Sequence, residues 1–164
     1  MTPRPCRTGL SFLPVALCVP LALMVAGCNG SQAAFDGRLP YLLQVPAAVR
    51  WVSLEPLLGP IMVPGVIEAG ADGRDGIWCD PLRRNNRNAI NWVVVGCESG
   101  QQRRFCDNAW VKGIVDQCLA AGVPCFVKQI QVGPKREVVH DAQEIADVLG
   151  YRPEQIRQVP ERDA

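Results

Sequence analysis

Asn91-Trp92-Val93-Val94-Val95-Gly96-Cys97-Glu98-Ser99-Gly100 decides how the chain is read. The apolar run at 92–95, stopped by a glycine, has the length and texture of a strand buried on both faces, as in parallel sheets. Gly96 and Gly100 bracket Cys97, Glu98 and Ser99, and a glycine there lets the backbone approach a ligand closely. A carboxylate and a hydroxyl at a strand terminus can hold ribose or amino groups through charge-assisted hydrogen bonds. The same residues also describe a tight turn into a helix with an exposed glutamate, and the residues alone leave both readings open.

Upstream, residues 49–54 form a second short apolar run, closed by Glu55, Pro56 and Gly59. Glu55 stands at its C-terminal end, which faces the ligand crevice in parallel sheets and barrels. Before it, Phe35, Leu39, Leu42 and Leu43 recur at helical spacing over residues 31–44. Pro40 would be tolerated only in a first turn, so this helix is expected to start late. Downstream, residues 105–121 read as an amphipathic helix with Asp107 or Asn108 as N-cap and Gly122 as C-cap. Trp110, Ile114, Val115, Cys118 and Leu119 form its apolar stripe. A third strand, Val123-Pro124-Cys125-Phe126-Val127, ends in Lys128-Gln129. Lys128 could reach into the crevice or equally point to solvent.

The order helix, strand, long loop, strand, helix, strand predicts an α/β fold of βα units with right-handed crossovers. About three parallel strands with flanking helices are visible, too few to close an eight-stranded barrel, so a partial (β/α) barrel over residues 31–134 is expected. The connection at 56–90 is long and polar, and Arg83, Arg84 and Arg87 in it read as a solvated rim. Residues 135–164 form a tail with one short helix at 141–149, capped by Asp141, and an extended end at 153–160. His140, the sole histidine, has no suggestive neighbour and reads as a surface or capping residue.

Residues 1–30 differ from the rest. Arg4 and Arg7 precede a long apolar stretch closed by Val25-Ala26-Gly27-Cys28. That describes a secretory signal, and the cysteine after Val-Ala-Gly resembles the lipobox of bacterial lipoproteins, with Cys28 the lipidated residue. No Ser/Thr/Asn-rich tether follows it, so out-of-frame sequence is the competing expectation. Seventeen basic against sixteen acidic residues give no reason to expect nucleic acid, and a membrane is a partner only if the signal is real. No two of the eight cysteines have the close spacing of zinc or iron–sulfur ligands. Most are expected to be small buried hydrophobes, and a disulfide framework is not expected.

Within residues 39–60, Val45-Pro46-Ala47-Ala48-Val49-Arg50-Trp51-Val52-Ser53-Leu54-Glu55-Pro56-Leu57-Leu58-Gly59-Pro60 closely resembles a phage-associated uncharacterised family with a radical-S-adenosylmethionine-like barrel. Residues 92–100, 116–124 and 126–129 resemble it in the same order, and 153–160 resembles a common ending of its members. The resemblance covers only the C-terminal half of that barrel. In the family, a strand of the kind Trp-Leu-Gly-Val-Ser/Thr-Val-Glu precedes this half, where Met24-Val25-Ala26-Gly27-Cys28-Asn29-Gly30 stands here. The family usually has a second glycine at Cys97 and a His-Pro near Asp107-Asn108.

The resemblance implies S-adenosylmethionine and an iron–sulfur cluster in the intact family, with Glu55, Glu98 and Ser99 lining the mouth where cofactor or substrate sits. Lys128 joins them by its position at a strand end. The family's cysteine group has no equivalent here, so no cofactor and no metal are expected in this chain. The expected function is that of a C-terminal fragment without complete catalytic machinery, cytoplasmic, with a separately encoded N-terminal half as a conceivable partner. The alternative is a lipoprotein anchored through Cys28 that acts as a binding module.

Overall fold

A computed structural model describes residues 23–25, 31–63, 66–68, 77–82 and 89–160, with backbone alone for 23–25, 66–68 and 77–79. Cys28, Arg83, Arg84, Arg87 and most of residues 1–30 lie outside the described residues.

The elements run β1 (Leu23–Val25), α1 (Gln32–Gln44), β2 (Arg50–Leu54), β3 (Val66–Glu68), β4 (Ile77–Cys79), β5 (Trp92–Gly96), α2 (Asn108–Ala121), β6 (Cys125–Val132), β7 (Glu137–Val139), α3 (Ala142–Leu149) and α4 (Pro153–Ile156). The main sheet has the order β1-β2-β5-β6-β7, parallel throughout except for the antiparallel β6–β7 pair. Each parallel strand thus lies beside its predecessor in that series, as in a (β/α) barrel, and the described strands leave the sheet open. The architecture is an α/β partial barrel. It has one parallel strand more than the apolar runs suggested. β1 lies inside the apolar N-terminal stretch, where hydrophobicity without a boundary gives no strand signal, and pairs Leu23, Met24 and Val25 with Arg50, Trp51 and Val52.

The core follows from strand alternation. The register aligns Val52 with Val93 and Leu54 with Val95, and continues to Cys125 and Val127. These six are buried in one cluster with Phe35, Leu39, Leu42 and Leu43 of α1 and Val111, Ile114, Val115 and Cys118 of α2. The opposite face carries an aromatic row, with Trp51 and Trp92 rings 5.4 Å apart and Trp92 and Phe126 at 6.4 Å.

Helix α1 keeps Pro40 in its interior and does not start late. Its buried stripe outweighs the lost bond, and the orphaned carbonyl belongs to exposed Asp36, where water can replace the missing N–H. Helix α2 starts at Asn108, with Asp107 Oδ1 accepting from the Ala109 N–H at 2.9 Å. Gly122 closes it at φ 68°, a left-handed conformation suited to glycine.

The 56–90 connection contains the antiparallel β3–β4 hairpin. The tail adds β7 and the short α4 to the expected helix α3. It also covers the outer edge of β6. β7 pairs with Ile130, Gln131 and Val132, while Phe126 bridges to Arg157 and the Gln158 N–H donates to Cys125 O at 2.9 Å. Such an edge is otherwise open to adventitious pairing. Among the described residues no helix is long and apolar enough to cross a membrane.

The cysteines depart from expectation at one place. Cys97 and Cys106 form a disulfide, while Cys118 and Cys125 are free and buried.

Candidate functional site

Three adjacent strands meet at one rim, where β2 and β5 end and the parallel part of β6 gives way to its pairing with β7. β2 delivers Glu55, followed by a cis peptide to Pro56; β5 delivers Gly96; β6 delivers Lys128 and Gln129. Between β5 and β6 the register slips: Val95 faces Val127, but Gly96 faces Gln129. Lys128 is the extra residue of this bulge, a device that re-aims side chains at strand ends. It brings two consecutive side chains to the rim. Lys128 Nζ lies 3.1 Å from Glu55 Oε2, with the Glu55 side chain 17% exposed and that of Lys128 56% exposed. Gln129 is buried and its Nε2 donates to Cys97 O at 2.5 Å.

Gly96 is required by this packing. A Cβ at that position would overlap Glu55 Oε1 and stand 3.2 Å from the Gln129 amide. The glycine thus admits a neighbouring carboxylate, where the sequence suggested approach by a ligand. Glu55 Oε1 and Gln129 Oε1 are both enclosed and without a hydrogen-bond partner. Two buried acceptors on residues that flank Gly96 call for a donor.

The other two candidates belong to the β5–α2 loop. Arg104 donates to Glu98 from Nε at 2.9 Å and from the second guanidinium nitrogen at 3.0 Å, and its backbone N–H adds a bond of 2.8 Å. The guanidinium and that N–H together hold the Glu98 carboxyl below its ordinary range. Ser99 is exposed. The structure therefore joins Glu55 to Lys128 and directs Glu98 into its own loop, with Ser99 in solvent.

Gln131, two residues beyond Gln129, organises that loop. Its Nε2 donates to Glu98 O at 3.2 Å and Arg104 O at 2.9 Å, and its Oε1 accepts from the Cys106 N–H at 3.3 Å. Neither glutamine's role was legible in the sequence. Polar side chains two apart in an otherwise apolar strand were the available signal. Arg103 bonds the Gly100 carbonyl within the loop and ties the loop to the β6–β7 turn through the carbonyls of Lys135 and Arg136.

Residues 17–151 match the family model described as "Protein of unknown function (DUF5131)". The chain belongs to this family. No curated protein and no solved structure matches it. The DUF5131 match takes in β1 through α3 and every rim residue, and it begins within the apolar N-terminal stretch.

Proposed function

We propose that this DUF5131 chain is the C-terminal part of a phage-type, radical-S-adenosylmethionine-like barrel, contributing a polar strand-end rim but not the complete catalytic machinery. One observation carries the reading: adjacent parallel strands β2, β5 and β6 converge Glu55 and Gly96, at the C-terminal ends of β2 and β5, with Lys128 and Gln129, at the point where the parallel β5–β6 pairing stops. That is the end at which barrel folds place their chemistry.

The implied groups fit unequally. The orphaned acceptors of Glu55 and Gln129 suit a ligand that presents N–H or O–H groups, as the amino and hydroxyl groups of S-adenosylmethionine do. Bound there, S-adenosylmethionine would supply the sulfonium that a radical reaction cleaves, and Glu55 and Gln129 would orient it. An iron–sulfur cluster does not fit the described cysteines. Cys97 and Cys106 are bonded to each other, and Cys118 and Cys125 are buried in the core. A hydrogen bond with Cys118, reinforced by burial, pushes the Cys125 thiol up, away from the thiolate a metal needs.

This reading places the chain in the cytoplasm. The alternative, a lipoprotein anchored at Cys28, has the Val25-Ala26-Gly27-Cys28 sequence in its favour and β1 against it. Cleavage before Cys28 would remove residues 23–25 from the sheet.

Equilibrium dialysis with labelled S-adenosylmethionine tests the proposal. The chain alone is expected to show no saturable binding, because both acceptors are enclosed among the described residues. Saturable binding near one per chain would mean that the rim is already a complete site.

A further inference from the structure

We propose that the Cys97–Cys106 disulfide is a redox latch that couples thiol chemistry to the strand-end rim. Cys97 is the first residue after β5 and Cys106 lies two residues before α2, so the bond closes the loop that carries Glu98, Ser99, Arg103 and Arg104. The latch is wired to the rim on its Cys97 side: the Cys97 N–H donates to Gln129 O at 3.1 Å, and Cys97 O accepts from Gln129 Nε2. On its Cys106 side the backbone N–H donates to Gln131. A change in the loop therefore reaches Gln129, which packs against Gly96, and Gln131 directly. The latch belongs to the loop and operates whichever ligand the rim takes.

The chemistry is thiol–disulfide exchange with a dithiol reductant. One reductant thiolate attacks a protein sulfur and breaks the S–S bond, giving a mixed disulfide. The reductant's second thiol then displaces the protein cysteine. Cys97 and Cys106 finish as two thiols and the reductant as a disulfide, two electrons having been transferred. Both sulfurs belong to buried residues, whereas neighbouring Phe105 is largely exposed. Reduction must therefore follow a local opening of the loop. In a reducing compartment disulfides are rare, and those that form are usually transient and catalytic or redox-sensing.

Losing the cross-link removes a short-loop constraint, which raises the population of open loop on the order of tenfold or more. Trypsin reads this directly. In the latched loop the Arg103 and Arg104 side chains are held by backbone carbonyls and by Glu98, and although Arg104 is half exposed, those bonds must break before a protease can seat either arginine. The full chain is treated with trypsin before and after dithiothreitol, alongside Cys97→Ser/Cys106→Ser, with iodoacetamide labelling to count free thiols. Slow cleavage after Arg103 or Arg104 in the oxidised chain, and cleavage at least tenfold faster in the reduced chain and the double variant, is the expected result. Equal cleavage in all three, or labelling of Cys97 and Cys106 without reductant, would overturn the proposal.

Discussion

Gln131→Ala is expected to destabilise the protein by about 2–4 kcal/mol, a large share of the ~5–15 kcal/mol that holds a typical domain together. Gln131 is 5% exposed and serves three backbone groups, the Glu98 and Arg104 carbonyls and the Cys106 N–H. Alanine leaves all three without their partner. A buried polar group deprived of its bond costs about 1–3 kcal/mol, and water entering from the exposed side of the loop recovers part of it. Gln131→Glu makes a sharper probe. It preserves an acceptor for the Cys106 N–H but sets a carboxylate against two carbonyl oxygens, so its loss should equal or exceed that of alanine. Urea unfolding checks both: the midpoint falls with unchanged slope. A midpoint unmoved in both variants would show that the loop is not held by this side chain.

Gly96→Val should cost about 1–3 kcal/mol, the range for forcing extra atoms into a packed site. The first added atom already overlaps Glu55 Oε1, and the Gln129 amide stands only 3.2 Å away. Gln129 cannot easily give, because its Nε2 is bonded to Cys97 O. Glu55 can, since the overlapping atom is the far end of a flexible chain, but moving it breaks the contact with Lys128. Gly96→Ala should therefore cost less than valine, and most of its cost should vanish in a Glu55→Ala background. That coupling is measured by a double-mutant cycle of unfolding free energies. An equal alanine penalty with and without Glu55 would mean that the carboxylate does not occupy the space above Gly96.

The legible parts of this fold are those in which short-range pattern and long-range packing coincide. Residues 92–96 and 50–54 announce buried strands, and Asp107, Gly122 and Asp141 announce helix ends, because caps and apolar runs are local physics. β1 was hidden because its three residues lie in an unbroken apolar stretch with no periodicity of its own. Pro40 misled the reading of α1, where four buried side chains override a local penalty. The far half of β6 was masked by its own glutamines, which look like a strand's end but are inward-facing staples.

For the site, the strand-end rule singled out Glu55 and Lys128; the structure brings their side chains together, but with Lys128 inside β6 at a bulge and not at its end. Glu98 obeyed the same rule in sequence, yet its carboxylate turns to Arg104, six residues on, a pairing set by the loop's path. The Cys97–Cys106 bond was illegible for a related reason. A separation of nine residues carries no signature until β5 and α2 fix where the loop begins and ends.

The most direct test of the central claim, a barrel half without its catalytic machinery, is anaerobic reconstitution of the purified chain with iron, sulfide and a thiol reductant. Protein-bound iron and acid-labile sulfide are then counted after desalting. The reductant frees Cys97 and Cys106, so the disulfide withholds neither from the metal. The account predicts no stoichiometric iron or sulfide on the chain. A cluster bound at one per chain would contradict it, and would make this DUF5131 protein a metal-dependent enzyme in its own right.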